Sequence, residues 1–138
     1  MPPFRQASIA AGSDCAVLRV TGEVDMSTAP QLREQVIQLA SHGVLHIIAD
    51  LRGVDFLDSA GLAALVGSLK RLRTRGGSFT LAVSPGRTVQ LLHITGLARA
   101  FAVHPSVLDA IAADQHWQAA ITSGGHGTEG WCREHGLL

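Results

Sequence analysis

The spacing of apolar residues divides the first half of the chain into alternating strands and helices. Apolar and polar side chains interleave over residues 17–24, which predicts a strand over about residues 15–22. Over residues 28–41 the apolar positions recur every three or four residues, which predicts a helix whose first turn Ser27 or Thr28 would cap. The run over residues 44–51 is apolar except for His46 and Asp50, which is typical of a strand buried on both faces. We therefore expect that strand at the centre of a sheet.

The same order continues through the second half of the chain. The further predicted elements are a helix over residues 59–75, a strand over 78–83, a helix ending near Gly96, a strand over 100–103 and a helix from about 106 to 121. Alternating strands and helices indicate an α/β fold with a mostly parallel central sheet and about four helices packed on it. Because parallel crossovers are right-handed, the strands that begin near residues 44 and 78 should be neighbours, joined through the helix that follows Asp58.

The pattern fills one domain and leaves two terminal segments. We place the domain at residues 14–116 and an N-terminal segment at 1–13, where an additional edge strand remains open. Residues 117–138 are expected to form a flexible C-terminal tail, because they include the run Ser123-Gly124-Gly125-His126-Gly127.

The composition is that of a globular protein, and its charge balance argues against some classes of binding partner. Among 138 residues, 46% are hydrophobic and 16% are charged, which is enough for a packed core. Eleven basic residues balance eleven acidic ones, so we expect neither a nucleic-acid partner nor a membrane surface. Cys15 and Cys132 show no disulfide spacing, and no secretory signal or 18-residue apolar stretch is present. These features favour a cytoplasmic location.

The most informative segment for chemistry is residues 50–62, where a buried strand passes through a polar turn into a helix of small residues. Such a turn would expose the hydroxyl of Ser59 at the helix N-terminus, where free N–H groups favour an added anion. A phosphate there would bring negative charge beside Asp58 and near Asp55, and would repel a partner that accepts the neutral hydroxyl. From these residues alone, an ordinary N-cap at Asp58 or Ser59 remains the alternative.

Three segments together resemble a known family. They are Phe56-Leu57-Asp58-Ser59-Ala60-Gly61-Leu62, Gly22-Glu23-Val24-Asp25-Met26-Ser27-Thr28-Ala29, and the weaker stretch 89–97 that ends in Ile94-Thr95-Gly96-Leu97. In order and spacing they are similar to the STAS-domain anti-sigma factor antagonists, over about residues 14 to 113. Ala60 departs from the serine common at its place in that family, which leaves Ser59 as the hydroxyl of the first motif.

The resemblance implies a regulatory function. Ser59 would be phosphorylated by an anti-sigma factor with serine kinase activity, and the unphosphorylated protein would bind that factor and so regulate sigma-factor-dependent transcription. A phosphoserine phosphatase would reset the switch. The partner-binding residues implied by the family are Asp25, Ser27, Thr28, Asp58, Ser59, Ala60 and Leu62. From the sequence, Asp25 as a simple turn residue and Ser27 as a simple cap remain alternatives.

Other function classes find less support in the sequence. The motifs of common hydrolases, nucleotide-binding loops and metalloproteases are absent, so we expect no enzyme activity and no cofactor. His116, His126, Cys132 and His135 offer zinc-binding atoms but follow no standard spacing, so we expect no metal site. Two alternative functions remain: a non-switching STAS scaffold subunit of a lipid-transport or sensory complex, and a regulator that senses a metal or ligand through its histidine-rich tail.

Overall fold

The structure, a computed structural model, describes residues 3–138, and within them five strands form one sheet. The strands are β1 (Arg5–Ala11), β2 (Cys15–Val24), β3 (His46–Leu57), β4 (Ser78–Ala82) and β5 (Ala102–His104). They lie in the order β1-β2-β3-β4-β5, with β1 antiparallel to β2 and all other neighbours parallel. The predicted α/β fold with a mostly parallel sheet is confirmed, and the two strands joined through the Ser59 helix are neighbours. The edge strand left open for the N-terminal segment is present as β1.

Helices cover both faces of this sheet. The helices of residues 3–138 are α1 (Ala29–Ser41), α2 (Ser59–Thr74), α3 (Arg87–Ile94), α4 (Val107–Ala112), α5 (Gln115–Ser123) and α6 (Thr128–Glu134), with a short 3-10 helix at Leu97–Arg99. The buried residues of α1, α2 and α3 form one core with Ile47, Ala49 and Leu51 of β3. Those of α4, α5 and α6 form a second core that contains Ile48. Successive residues of β3 point to opposite faces, so β3 contributes to both cores. In the described chain, none of the helices is long and apolar enough to cross a membrane.

The C-terminal segment differs from the expected flexible tail. Residues 117–138 contain most of α5 and all of α6, and Trp117, Trp131 and Cys132 are buried in the second core. The glycine-rich run forms the turn between the two helices. The prediction of a flexible tail was wrong because a glycine-rich run occurs both in tight turns and in flexible segments. Here the two tryptophans bury enough apolar surface to order the segment.

A buried ion pair fixes the end of the chain to the central strand. Asp50 of β3 is 2% exposed, and its carboxylate accepts hydrogen bonds from Arg52 Nε (2.8 Å) and Nη2 (3.1 Å). The same Arg52 Nη2 donates to the carbonyl oxygen of Leu137 at 2.9 Å. The bonds to Asp50 raise the pKa of Arg52. A bidentate guanidinium with a third acceptor is a specific anchor, which explains why Leu137 is fully buried.

The single helix predicted over about 106–121 is interrupted. Ala113 ends α4, and Asp114 caps α5 by accepting a hydrogen bond from the Trp117 backbone N–H at 3.1 Å. The aspartate cap starts a new helix with a new direction, and this break together with α6 accounts for six helices where about four were expected.

Replacing Trp117 with alanine should distinguish a packed segment from a flexible tail. Because Trp117 is 1% exposed, we expect Trp117→Ala to lower the free energy of unfolding by about 3–5 kcal/mol. Thr122→Ala, an exposed position of the same helix, should change it by less than about 0.5 kcal/mol. Urea denaturation followed by circular dichroism measures both, and a Trp117→Ala value as small as the control would contradict this packing.

Candidate functional site

The carboxyl ends of β2 and β3 meet at one edge of the sheet. Val24 pairs with Leu57, and the Asp58 N–H donates to the Val24 carbonyl oxygen at 3.2 Å. The loop after β2 therefore lies beside the first turn of α2. This places the Gly-Glu-Val-Asp segment and the Asp-Ser-Ala-Gly segment, which are far apart in sequence, next to each other.

Ser59 is the first residue of α2, and its side chain is exposed. The N-cap is Asp58, whose Oδ1 accepts a hydrogen bond from the Gly61 N–H at 2.9 Å. Within residues 3–138 the Ser59 hydroxyl makes no hydrogen bond, because Asp58 already performs the capping. Of the two cap candidates considered from the sequence, the structure selects Asp58, and it leaves the hydroxyl of Ser59 accessible.

Asp25 organises the loop between β2 and α1. Its Oδ1 accepts hydrogen bonds from the Ser27 hydroxyl (2.7 Å), the Ser27 N–H (2.9 Å) and the Thr28 N–H (3.2 Å). The hydrogen bond from the Ser27 side chain is the main cause that lowers the pKa of this half-buried carboxyl group. At neutral pH the loop is therefore held by an ionised carboxylate.

The capping expected from Ser27 or Thr28 is not observed. Thr28 is the N-cap residue of α1, but its side chain makes no capping hydrogen bond. Instead its hydroxyl accepts from the Asp25 N–H at 2.9 Å and donates to the Glu23 carbonyl oxygen at 2.8 Å. The physical reason is that the Thr28 hydroxyl is already engaged by Asp25 and Glu23, while Pro30 has no N–H to offer and the Gln31 N–H donates to the Thr28 carbonyl oxygen at 2.9 Å.

The remaining candidate residues, Ala60 and Leu62, are half-buried and pack against the first core. Two exposed apolar residues that the sequence analysis did not single out lie beside the site. Met26 is 79% exposed in the loop after β2, and Phe56 is 42% exposed next to the end of β3. For Phe56 a signal was available: it precedes buried Leu57 in a strand, so it must point to the opposite face. Met26 and Phe56 therefore expose apolar surface near the carboxyl ends of β2 and β3.

Gly61 allows α2 to approach β2 closely. A Cβ atom built at this position would lie 2.6 Å from the Val24 carbonyl oxygen and 2.5 Å from Leu57 Cδ1. Both distances are far below van der Waals contact, so the glycine is required by packing. Because Gly61 has no side chain, the start of α2 can lie directly against β2, and this contact determines the position of Ser59.

The histidine and cysteine side chains of the C-terminal segment lie in different parts of the structure. His116 Nε2 lies 2.8 Å from Asp14 Oδ2, and His126 Nδ1 lies 3.6 Å from Glu134. His135 stacks on Trp131 with ring centroids 4.5 Å apart, and Cys132 is buried. The structure thus gives no support to a sensing site built from these four residues together.

Comparison with known proteins identifies the family. The sequence profile of the STAS domain matches residues 6–110. The chain belongs to the STAS domain family. The match stops within α4, so α5 and α6 of this STAS protein lie beyond it.

Several curated relatives and solved structures carry related names. The anti-sigma-B factor antagonist of Bacillus subtilis is 39% identical over 84 residues, which are 58% of this chain and 72% of the relative. That of Listeria monocytogenes is 41% identical over 81 residues, 57% of this chain and 69% of the relative. A crystal structure of an anti-sigma factor antagonist from Mycobacterium paratuberculosis superposes with a TM-score of 0.73 at 28% identity, covering 80% of this chain and 93% of that one. Phosphorylated SpoIIAA from Bacillus, at 22% identity and a TM-score of 0.62 over 79% of this chain and 98% of its own, shares the fold.

Two glycines of α2 provide a matched test of the helix position. We expect Gly61→Ala to lower the free energy of unfolding by about 1–3 kcal/mol, because the added methyl group overlaps β2. Gly67→Ala meets no atom within 4 Å and should raise it by about 0.4–1 kcal/mol. Chemical denaturation of the two variants measures both signs, and equal effects at the two positions would contradict the close approach.

Proposed function

We propose that this STAS protein is an anti-sigma factor antagonist that binds an anti-sigma factor with serine kinase activity while Ser59 is unphosphorylated. Phosphorylation of Ser59 releases the partner, a phosphoserine phosphatase restores binding, and sigma-factor-dependent transcription follows the state of the switch. The observation that carries this proposal is the exposed Ser59 hydroxyl, free of hydrogen bonds within residues 3–138, on the first residue of α2. The names of the relatives support the class of partner.

The position of Ser59 suits a phosphate acceptor. The hydroxyl does not have to leave a structural hydrogen bond before a kinase can bind it. The N-terminus of a helix stabilises an added anion by about 0.3–1 kcal/mol when it is exposed. Phosphorylation would therefore leave the fold intact and change only the surface.

The same phosphate would change the surface strongly. It adds about −1.5 to −2 charges at neutral pH. The carboxylates of Asp58 and Asp25 already lie at this edge, and exposed Asp55 stands on β3 three residues before Asp58. A partner complementary to a neutral hydroxyl would meet a dianion there, and an unpaired charge is costly to bury in an interface.

The exposed apolar residues give the partner something to bury. Met26 lies in the loop after β2 and Phe56 lies three residues before Ser59, and methionine and aromatic side chains are enriched in the centres of protein interfaces. Burial of these residues would supply affinity, while the hydroxyl of Ser59 would supply the response to phosphorylation. We therefore propose a binding role for this site and no catalytic role for its own side chains.

Substitutions at Ser59 test the switch directly. With the cognate anti-sigma factor, we expect Ser59→Ala to bind whether or not ATP is present, and Ser59→Asp to bind at least about tenfold more weakly, a difference of about 1.4 kcal/mol. Ser123→Asp places the same charge on an exposed serine of α5 and should bind like the unmodified protein. Isothermal titration calorimetry measures the three affinities.

Mass spectrometry of the protein isolated from its native cells, before and after phosphatase treatment, locates the modification. A single labile phosphoryl group on Ser59 is the expected result. Equal affinity of all Ser59 variants, or a protein unmodified under every growth condition, would favour the non-switching scaffold instead.

A further inference from the structure

A second group of polar side chains lies at the opposite edge of the sheet from Ser59. Asp14 and Cys15 stand at the start of β2, and His116 stands in the first turn of α5. We call these three residues the amino-end cluster. His116 Nε2 is 2.8 Å from Asp14 Oδ2, Cys15 Sγ is 3.6 Å from Asp14 Oδ1, and one potential ligand atom from each residue lies within 4.8 Å of the other two.

We propose that the amino-end cluster binds one Zn²⁺ ion. Imidazole nitrogen, thiolate sulfur and carboxylate oxygen are the three ligand types that zinc takes from proteins, at about 2.0–2.3 Å. In a tetrahedral site those bond lengths separate the ligand atoms by about 3.3–3.8 Å. The 2.8 Å distance ends on Asp14 Oδ2 and the 3.6 Å distance on Asp14 Oδ1, whereas one ligand atom from each residue lies within 4.8 Å of the other two. Side-chain rotations would therefore have to adjust these separations by about 1 Å to complete a tetrahedral geometry.

The surroundings hold the proposed ligands in place. The carbonyl oxygen of Asp14 accepts hydrogen bonds from the Leu45 and His46 N–H groups, each at 3.0 Å. The His116 ring stacks on the His46 ring with centroids 3.9 Å apart, and His46 Nδ1 is 2.9 Å from the Ser78 hydroxyl. Such outer contacts orient metal ligands in known sites. The cluster is therefore supported by the starts of three parallel strands.

An ion can reach the cluster from solvent. The side chains of His116 and Asp14 are 46% and 39% exposed, and they line an open cavity of about 270 Å³. Cys15 is fully buried beneath them. Three protein ligands on one side and a cavity on the other leave a fourth position for water, as in open zinc sites.

Binding would exchange protons for the ion. Burial, together with the charge of Asp14, raises the pKa of Cys15 to about 12, so this thiol is protonated when no cation is present. Zn²⁺ would displace the thiol proton to the solvent and form the sulfur–zinc bond. The hydrogen bond from His116 Nε2 to Asp14 would be replaced by two bonds to the ion, and the proton leaving Nε2 would be balanced by one taken from solvent at Nδ1, so the imidazole coordinates as a neutral ring. The proton released leaves a cluster with one carboxylate, one thiolate and a divalent cation, which is neutral overall.

The proposal revises the expectation of no metal site, and it does not depend on the proposed switch. A zinc-binding spacing is not visible in the sequence because His116 lies about a hundred positions from Asp14 and Cys15. A bound ion would join the start of β2 to α5, a helix outside the region matched to the STAS domain. Its direct effect would therefore be on the docking of the C-terminal helices.

Titration of the full-length protein with Zn²⁺ tests the site. We expect one saturable site per chain in competition with a chromophoric chelator, and a higher thermal midpoint when zinc is present. His116→Gln, which keeps a polar side chain, should weaken zinc binding by more than about tenfold and abolish the thermal shift. His126→Gln, a histidine in the turn after α5, is the matched control and should bind like the unmodified protein.

A second variant and a second metal complete the test. Cys15→Ala should lose affinity similarly, and Co²⁺ bound by the unmodified protein should show thiolate-to-metal charge-transfer absorption that Cys15→Ala lacks. Circular dichroism of each variant verifies the fold. The proposal is overturned if the unmodified protein shows no saturable zinc binding, if folded His116→Gln retains full affinity, or if His126→Gln loses as much as His116→Gln.

Discussion

The exclusion of water from both faces of β3 is the constraint on which the rest of this structure depends. Ile47, Ala49 and Leu51 point to one face, and Ile48 points to the other. A strand of this kind is stable only if a layer of helices covers each face. The helices α1 to α3 form one layer, and α4 to α6 form the second. The C-terminal helices are therefore part of the fold, since the second face would otherwise meet solvent.

Much of the fold could be predicted because its signals are local. The largely apolar run at residues 44–51 indicated a central strand, and the helical spacing after Asp58 indicated α2, which begins at Ser59. The strands paired as the handedness of crossovers requires. The prediction for the C-terminal segment was wrong because the order of this segment depends on contacts with residues that are distant in sequence. Neither the burial of Trp131 nor the hydrogen bond from Arg52 to Leu137 leaves a trace in the local pattern.

In the candidate site, too, the features set by local sequence were predictable and those set by detailed geometry were not. Ser59 at the start of a helix followed from the sequence pattern, but two residues could have capped that helix, and the hydrogen bond from the Gly61 N–H to Asp58 was needed to choose between them. Asp25 was expected at the site, yet the sequence did not indicate that its carboxylate would hold the loop before α1 by accepting hydrogen bonds from the Ser27 and Thr28 N–H groups. Competition among several oxygen atoms for the same donors is decided by geometry within a few tenths of an ångström, which spacing in the sequence does not encode.

The length of β3 separates the two ends of the molecule. The strand has 12 residues, and at about 3.3 Å per residue its ends lie roughly 35 Å apart. Electrostatic interactions between exposed charges decay over about 8 Å at physiological ionic strength. A change of charge at Ser59 is therefore not felt as a field at the amino ends of the strands. Any communication between the two edges would have to be mechanical, carried by displacement of the strand and of the helices packed along it.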